Sequence, residues 1–63
     1  MTPDEYRGLR RSIGTQSQVA ERLGVHPQTI SQRERGVLEI DDEAALAIRR
    51  LSDEARTLED AAP

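Results

Sequence analysis

The sequence predicts an all-α fold, a compact bundle of four or five helices, and three observations carry that prediction. Helix-start signals recur at Thr2-Pro3, Thr15, His26-Pro27 and Asp41. Gly14, Gly24 and Gly36 stand where the first three helical segments must stop. No stretch alternates apolar and polar residues for long enough to form a strand. A chain of 63 residues without cysteine accommodates one small domain, here residues 1–60. A core of that size supplies only about 3–5 kcal/mol of net stability, so tight packing or a partner subunit is required, and a homodimer is expected on that ground alone.

Each element follows from its neighbours in the chain. Thr2 caps the first helix, Pro3 takes the first turn, and Glu5 three residues past the cap is expected to close a capping box. The helix runs through Tyr6, Leu9 and Arg10 to about Ile13, and Gly14 is expected to end it in a left-handed conformation. Thr15 with Gln18 forms a second box, and Val19, Ala20 and Leu23 share one face of the helix that Gly24 ends. Pro27 begins a third helix, which carries Ile30 and reaches about Arg35. Residues 37–40 form an apolar link, after which Asp41 caps a fourth helix with Asp42 and Glu43 in its first turn, where the helix dipole favours acids. Along that helix Ala44, Ile48, Leu51, Ala55 and Leu58 step by four and three, a heptad-like seam. Arg49 with Asp53, Arg50 with Glu54 and Arg56 with Asp60 are each four apart and support the helix to about Asp60, leaving 61–63 as a frayed tail.

Composition excludes several classes of function. Apolar residues at 35% against 33% charged are compatible with folding rather than disorder. No apolar run approaches the length of a membrane span and no signal pattern opens the chain, so a cytoplasmic location is expected. One histidine, one tyrosine and no cysteine provide no nucleophile-base pair and no metal ligand set, so an enzyme, a metal or another cofactor is not expected. A small-molecule effector is not expected either. Nine arginines against twelve acids give a net charge of −3, which at first argues against nucleic acid. The distribution reverses that inference. Residues 1–36 hold six arginines and four acids, a surplus of +2, while residues 37–63 hold three arginines and eight acids, a deficit of −5.

The informative stretch is Gln16 to Gly36. Ala20 provides the small side chain that two steeply crossing helices need, Gly24 provides the turn, and Val25 and Ile30 pin the second helix of the pair to the first. This is a helix-turn-helix over about 16–35, followed by the long helix over about 42–60. The runs Thr15-Gln16-Ser17-Gln18-Val19-Ala20-Glu21-Arg22-Leu23-Gly24-Val25 and Thr29-Ile30-Ser31-Gln32-Arg33-Glu34-Arg35-Gly36 resemble the lambda-repressor and Cro-like family of transcriptional regulators, also called the xenobiotic-response-element family. The resemblance reaches back to Leu9-Arg10 and forward into the fourth helix. It implies double-stranded DNA as partner, a homodimer on an inverted-repeat operator, and an ion pair between Arg10 and Glu34. The chain departs from the family at His26, where Ser or Thr is commoner, and at Arg33, where an aromatic or aliphatic residue is usual.

At about 100° per residue, Ile30 and Glu34 face the core, Gln28, Ser31, Gln32 and Arg35 face away, and Thr29 lies on the flank. Glutamine pairs in bidentate fashion with adenine, and a threonine methyl meets the thymine methyl. Gln28, Thr29, Ser31 and Gln32 are therefore the candidate base contacts, against the ordinary alternative of a merely solvated face. Gln16 and Ser17 at the start of the second helix, His26 at the start of the third, and Arg35, Arg33 and Arg11 are the candidate phosphate contacts, with Arg22 a weaker one. Thr15 is expected only to cap. Leu51, Ala55 and Leu58 are the candidate dimer interface, although Ile48 and Leu51 are also placed to close the core of one chain. The alternative to a DNA-binding repressor is an antitoxin or adaptor whose acidic C-terminal helix binds a protein partner.

Overall fold

Four helices follow in chain order, α1 (Pro3–Ile13), α2 (Gln16–Leu23), α3 (Pro27–Glu34) and α4 (Asp42–Asp60). The structure is a computed structural model describing residues 1–60, with side chains described through residue 56. Among the described residues there is no strand and no fifth helix. α1 packs on α4, α2 packs on α3, and α1 also lies against α3.

The caps explain the boundaries. Thr15 and Gln18 form a complete box: the Gln18 N–H donates to Thr15 Oγ1 at 3.2 Å, and the Thr15 N–H donates to Gln18 Oε1 at 2.9 Å. At α1 only half of the expected box forms. The Glu5 N–H donates to Thr2 Oγ1 at 3.1 Å, but the Glu5 carboxylate accepts the Thr2 hydroxyl at 3.2 Å instead of the Thr2 backbone N–H. Asp41 Oδ1 accepts the Ala44 N–H at 2.8 Å and starts α4. Gly24 has φ 72° and provides the left-handed residue of the tight corner, with the Val25 N–H returning to the Ala20 carbonyl at 3.0 Å. Gly14 differs from the expectation. Its φ of 165° is extended backbone, and what a side chain there would meet is the Gln18 carboxamide folded back over it. The glycine thus serves the second capping box, not a left-handed turn. α3 ends one residue before the expected Arg35.

The core is built from Tyr6, Val19, Ala20, Ile30, Ile48 and Leu51, ringed by the half-buried Met1, Leu9, Ile13, Leu23, Val25 and Ile40. This corrects one assignment. Leu51 is buried in the single chain and is not a surface residue available to a partner, because the start of the α4 seam is already covered by α1 and α2. Ala55 is half-buried, and the Leu58 side chain lies outside the described residues.

One polar group shares this interior. Glu34, 4% exposed, is gripped by Arg10 in a two-pronged contact, Nη2 to Oε1 at 2.8 Å and Nε to Oε2 at 3.1 Å. The Gln16 carboxamide donates to the same Oε2 at 3.2 Å, and Arg7 adds Nε at 3.6 Å from Oε1 and a 3.0 Å bond from Nη2 to the Glu34 carbonyl. Arg10 Nη1 also donates to the Gly14 carbonyl at 3.3 Å. Burial pushes the Glu34 carboxyl up. The Arg10 hydrogen bonds and charge, with Gln16 and Arg7, outweigh that and hold it below the ordinary carboxylate range. The bond to Glu34 raises Arg10 in turn, against its own partial desolvation.

Removing one member of a buried pair leaves the other uncompensated, at a cost of about 3–5 kcal/mol. Arg10→Met is therefore expected to lose most of the folding free energy, read by urea unfolding, and Arg10→Met with Glu34→Leu is expected to recover part of it. The pH dependence has a definite sign. A carboxyl whose folded value lies below its unfolded one, about 4.3, contributes fully above that value and loses its contribution as the pH falls through the folded one. The stability gap between the parent and Glu34→Gln is expected to be constant above about pH 5 and to narrow steadily below about pH 4. A gap unchanged down to the acid transition would contradict this.

Candidate nucleic-acid interface

α3 shows two chemically different sides. Inward, Ile30 is fully buried and Glu34 holds the pair just described. Outward, Gln28 and Arg35 are exposed, while Thr29, Ser31 and Gln32 are half-buried along the flank of the same helix. These are hydrogen-bonding groups on short or flexible stems, carried on a rigid rod.

His26 caps this helix. Its Nδ1 accepts the Gln28 N–H at 3.1 Å, which makes Nε2 the protonated nitrogen of the neutral ring and a donor on an exposed side chain. The start of α2 sits beside the last turn of α3, because Gln16 reaches Glu34. That contact also redefines Gln16: its carboxamide is committed to the interior, and what it can offer an anion is its backbone N–H. The Gln16 and Ser17 N–H groups are the first of α2 and have no partner within the helix. Ser17, Arg11 and Arg22 are exposed.

Arg33 lies elsewhere. It was a candidate for phosphate, yet its guanidinium turns inward over the Tyr6 ring, 5.7 Å from the centroid, with Nη1 donating to Tyr6 Oη at 3.0 Å. Its Nε is buried without a hydrogen-bond partner. Where the family's usual residue is apolar, this arginine lines one pocket with Leu23, Val25 and Ala44. The fully buried tyrosine then accepts from its head group. Sequence reading missed both this pair and the role of Arg7. The partners are 27 residues apart in each case, so no local spacing reveals them. The one available signal was that a buried tyrosine hydroxyl needs a partner.

Among the described residues, no cluster of histidine, cysteine, aspartate or glutamate could hold a metal ion, and no helix is long and apolar enough to cross a membrane.

Tyr6→Phe is expected to destabilise the protein by about 1–3 kcal/mol in urea unfolding, because Arg33 then loses its acceptor while still half-buried. Combining it with Arg33→Leu removes both polar groups and is expected to return stability to within about 1 kcal/mol of the parent. A double variant as weak as Tyr6→Phe alone would show that packing, not pairing, dominates there.

A sequence model of the family described as Helix-turn-helix matches residues 9–51, which runs from the last turns of α1 to the last core residue of α4 and takes in the corner at Gly24, the face of α3 and the Arg10–Glu34 pair. No curated protein and no solved structure matches the chain. With its model covering most of the chain and the fold agreeing element by element, the protein belongs to the lambda-repressor and Cro-like helix-turn-helix family of DNA-binding regulators.

Proposed function

We propose that this protein is a dimeric, sequence-specific transcriptional repressor that binds an inverted-repeat operator in double-stranded DNA and acts by occluding a bacterial or phage promoter, its own included. Each copy lays α3 in the major groove. Gln28, Thr29, Ser31 and Gln32 read base edges. His26, Ser17, Arg35, Arg11 and the first N–H groups of α2 hold phosphates on either side. The observation that carries this reading is the division of α3 into a locked inner side, Ile30 and Glu34, and a hydrogen-bonding outer side on which Gln28 is exposed and Thr29, Ser31 and Gln32 are half-buried. The charge distribution agrees with it. The surplus of +2 lies in residues 1–36 with the reading helix, and the deficit of −5 lies in residues 37–63. So small a surplus makes for weak non-specific binding, and affinity then depends on base contacts and on pairing of two copies.

Selection of bound duplexes from a random pool by the purified protein tests the proposal. The expected result is an inverted repeat whose half-site centres lie about 34–36 Å apart, one turn of DNA. Gln28→Ala and Gln32→Ala are each expected to cost about 1–3 kcal/mol, roughly 5–150-fold in affinity, at one base pair of the half-site and to relax the preference there. If both variants bind the selected sequence as tightly as the parent, the reading face is elsewhere. Selection that enriches no sequence removes the proposal altogether.

A further inference from the structure

Pro27 opens α3 without an N–H of its own, so the Gln28 amide is the first donor of the helix. It is met by a ring nitrogen rather than by the oxygen usual at a cap: His26 Nδ1 accepts it at 3.1 Å. Only a ring whose proton sits on Nε2 has a lone pair on Nδ1 to offer, because imidazolium carries a proton on both nitrogens. We propose that His26 is a positioning residue for Gln28, which it holds in reading geometry only while its ring is uncharged, so that mild acid erases discrimination at the base pair Gln28 reads. The inference rests on the base-reading role of Gln28 proposed above.

The surroundings leave the ring as the group that changes. Glu21 and Arg22 lie in the last turn of α2, and Asp41 and Glu43, at the start of α4, line a cleft with Val25, the residue before His26. Among the described residues none of these four is bonded to the ring. Carboxylates and guanidinium groups keep their charge between pH 5.5 and 8, whereas imidazole changes its own in that interval. His26 is exposed, so a protonated ring is free to turn into water, and the positive end of α3 favours that turn. The Gln28 amide then loses its cap, and the ordered first turn loses about 2–30-fold against its frayed form. Gln28 is exposed and moves with that turn, while Ile30, fully buried, stops the fraying from reaching Gln32. The phosphate contact proposed for His26 pulls the other way, since imidazolium attracts phosphate more strongly than the neutral ring does. That attraction is the same for every sequence, and it cancels when two duplexes differing in one base pair are compared.

The test uses the full chain and three duplexes: the selected repeat, the repeat changed at the base pair assigned to Gln28 by Gln28→Ala, and the repeat changed at the pair assigned to Gln32 by Gln32→Ala. Affinities are measured at pH 8 and pH 5.5 at equal ionic strength, with helical circular dichroism checking the fold. The parent is expected to lose about fivefold of its discrimination at the Gln28 pair on going to pH 5.5, and to keep it at the Gln32 pair. His26→Ser supplies a capping oxygen that does not titrate and is expected to discriminate equally at both pH values. His26→Ala is expected to show the fivefold loss already at pH 8. Discrimination at the Gln28 pair that stays constant in the parent overturns the inference and leaves the reading of bases in place. An equal loss at both base pairs, or a His26→Ser variant that follows the parent, overturns it in the same way. A parent that discriminates at neither pair at pH 8 overturns the proposed function and this inference with it.

Discussion

The carboxylate of Glu34 sits inside a very small protein, and an ion there is tolerable only if its oxygens are matched. Arg10 and Arg7 reach it from α1, Gln16 from the first turn of α2, and Glu34 itself ends α3. Three helices are thus fastened to one point by directional bonds, whereas apolar contacts alone would let them slide and rotate. The side of α3 that faces inward is fixed by that point together with Ile30, and the outer side is fixed with it.

The consequences for function are geometric. A helix that reads DNA must present a small set of side chains at known positions, and a domain this size has little apolar core with which to hold it. The Tyr6–Arg33 pair adds a second anchor from α1 to α3. The left-handed Gly24 sets the angle at which α3 leaves α2, and the left-handed Gly36 turns the chain back so that Val37 and Leu38 bond to the Gln32 carbonyl. Both ends of α3 are therefore held by backbone geometry as well as by side chains. The acid surplus is carried after α3, which leaves the basic surplus in the part of the chain that holds α1, α2 and α3.

Much of this was legible in local pattern. The Thr15–Gln18 box, Pro3, Pro27, Asp41 and Gly24 each act within four residues of themselves, and all four helices begin where those residues place them. The inward turn of Ile30 and Glu34 follows from helical periodicity. Gly14 was read for the right boundary and the wrong cause, since its extended φ became visible only with the Gln18 side chain folded over it. Gln16 and Arg33 were candidates for phosphate, and Leu51 was expected both in the core of one chain and at a dimer interface. Periodicity gives a direction around one helix axis, but not what stands opposite, and opposite these three stand Glu34, Tyr6 and the core.

The sequence by itself determined the helices, their order, the corner between α2 and α3, and the division of charge between the two parts of the chain, because caps, turns and composition act over a few residues or none. Only the tertiary structure decided which arginines are available to an outside partner. Arg7, Arg10 and Arg33 are all taken up by groups 24 to 27 residues away, while Arg11, Arg22 and Arg35 remain exposed. An arginine's stem reaches far enough to satisfy a buried acceptor on another helix, and whether such an acceptor lies within reach depends on how the helices pack.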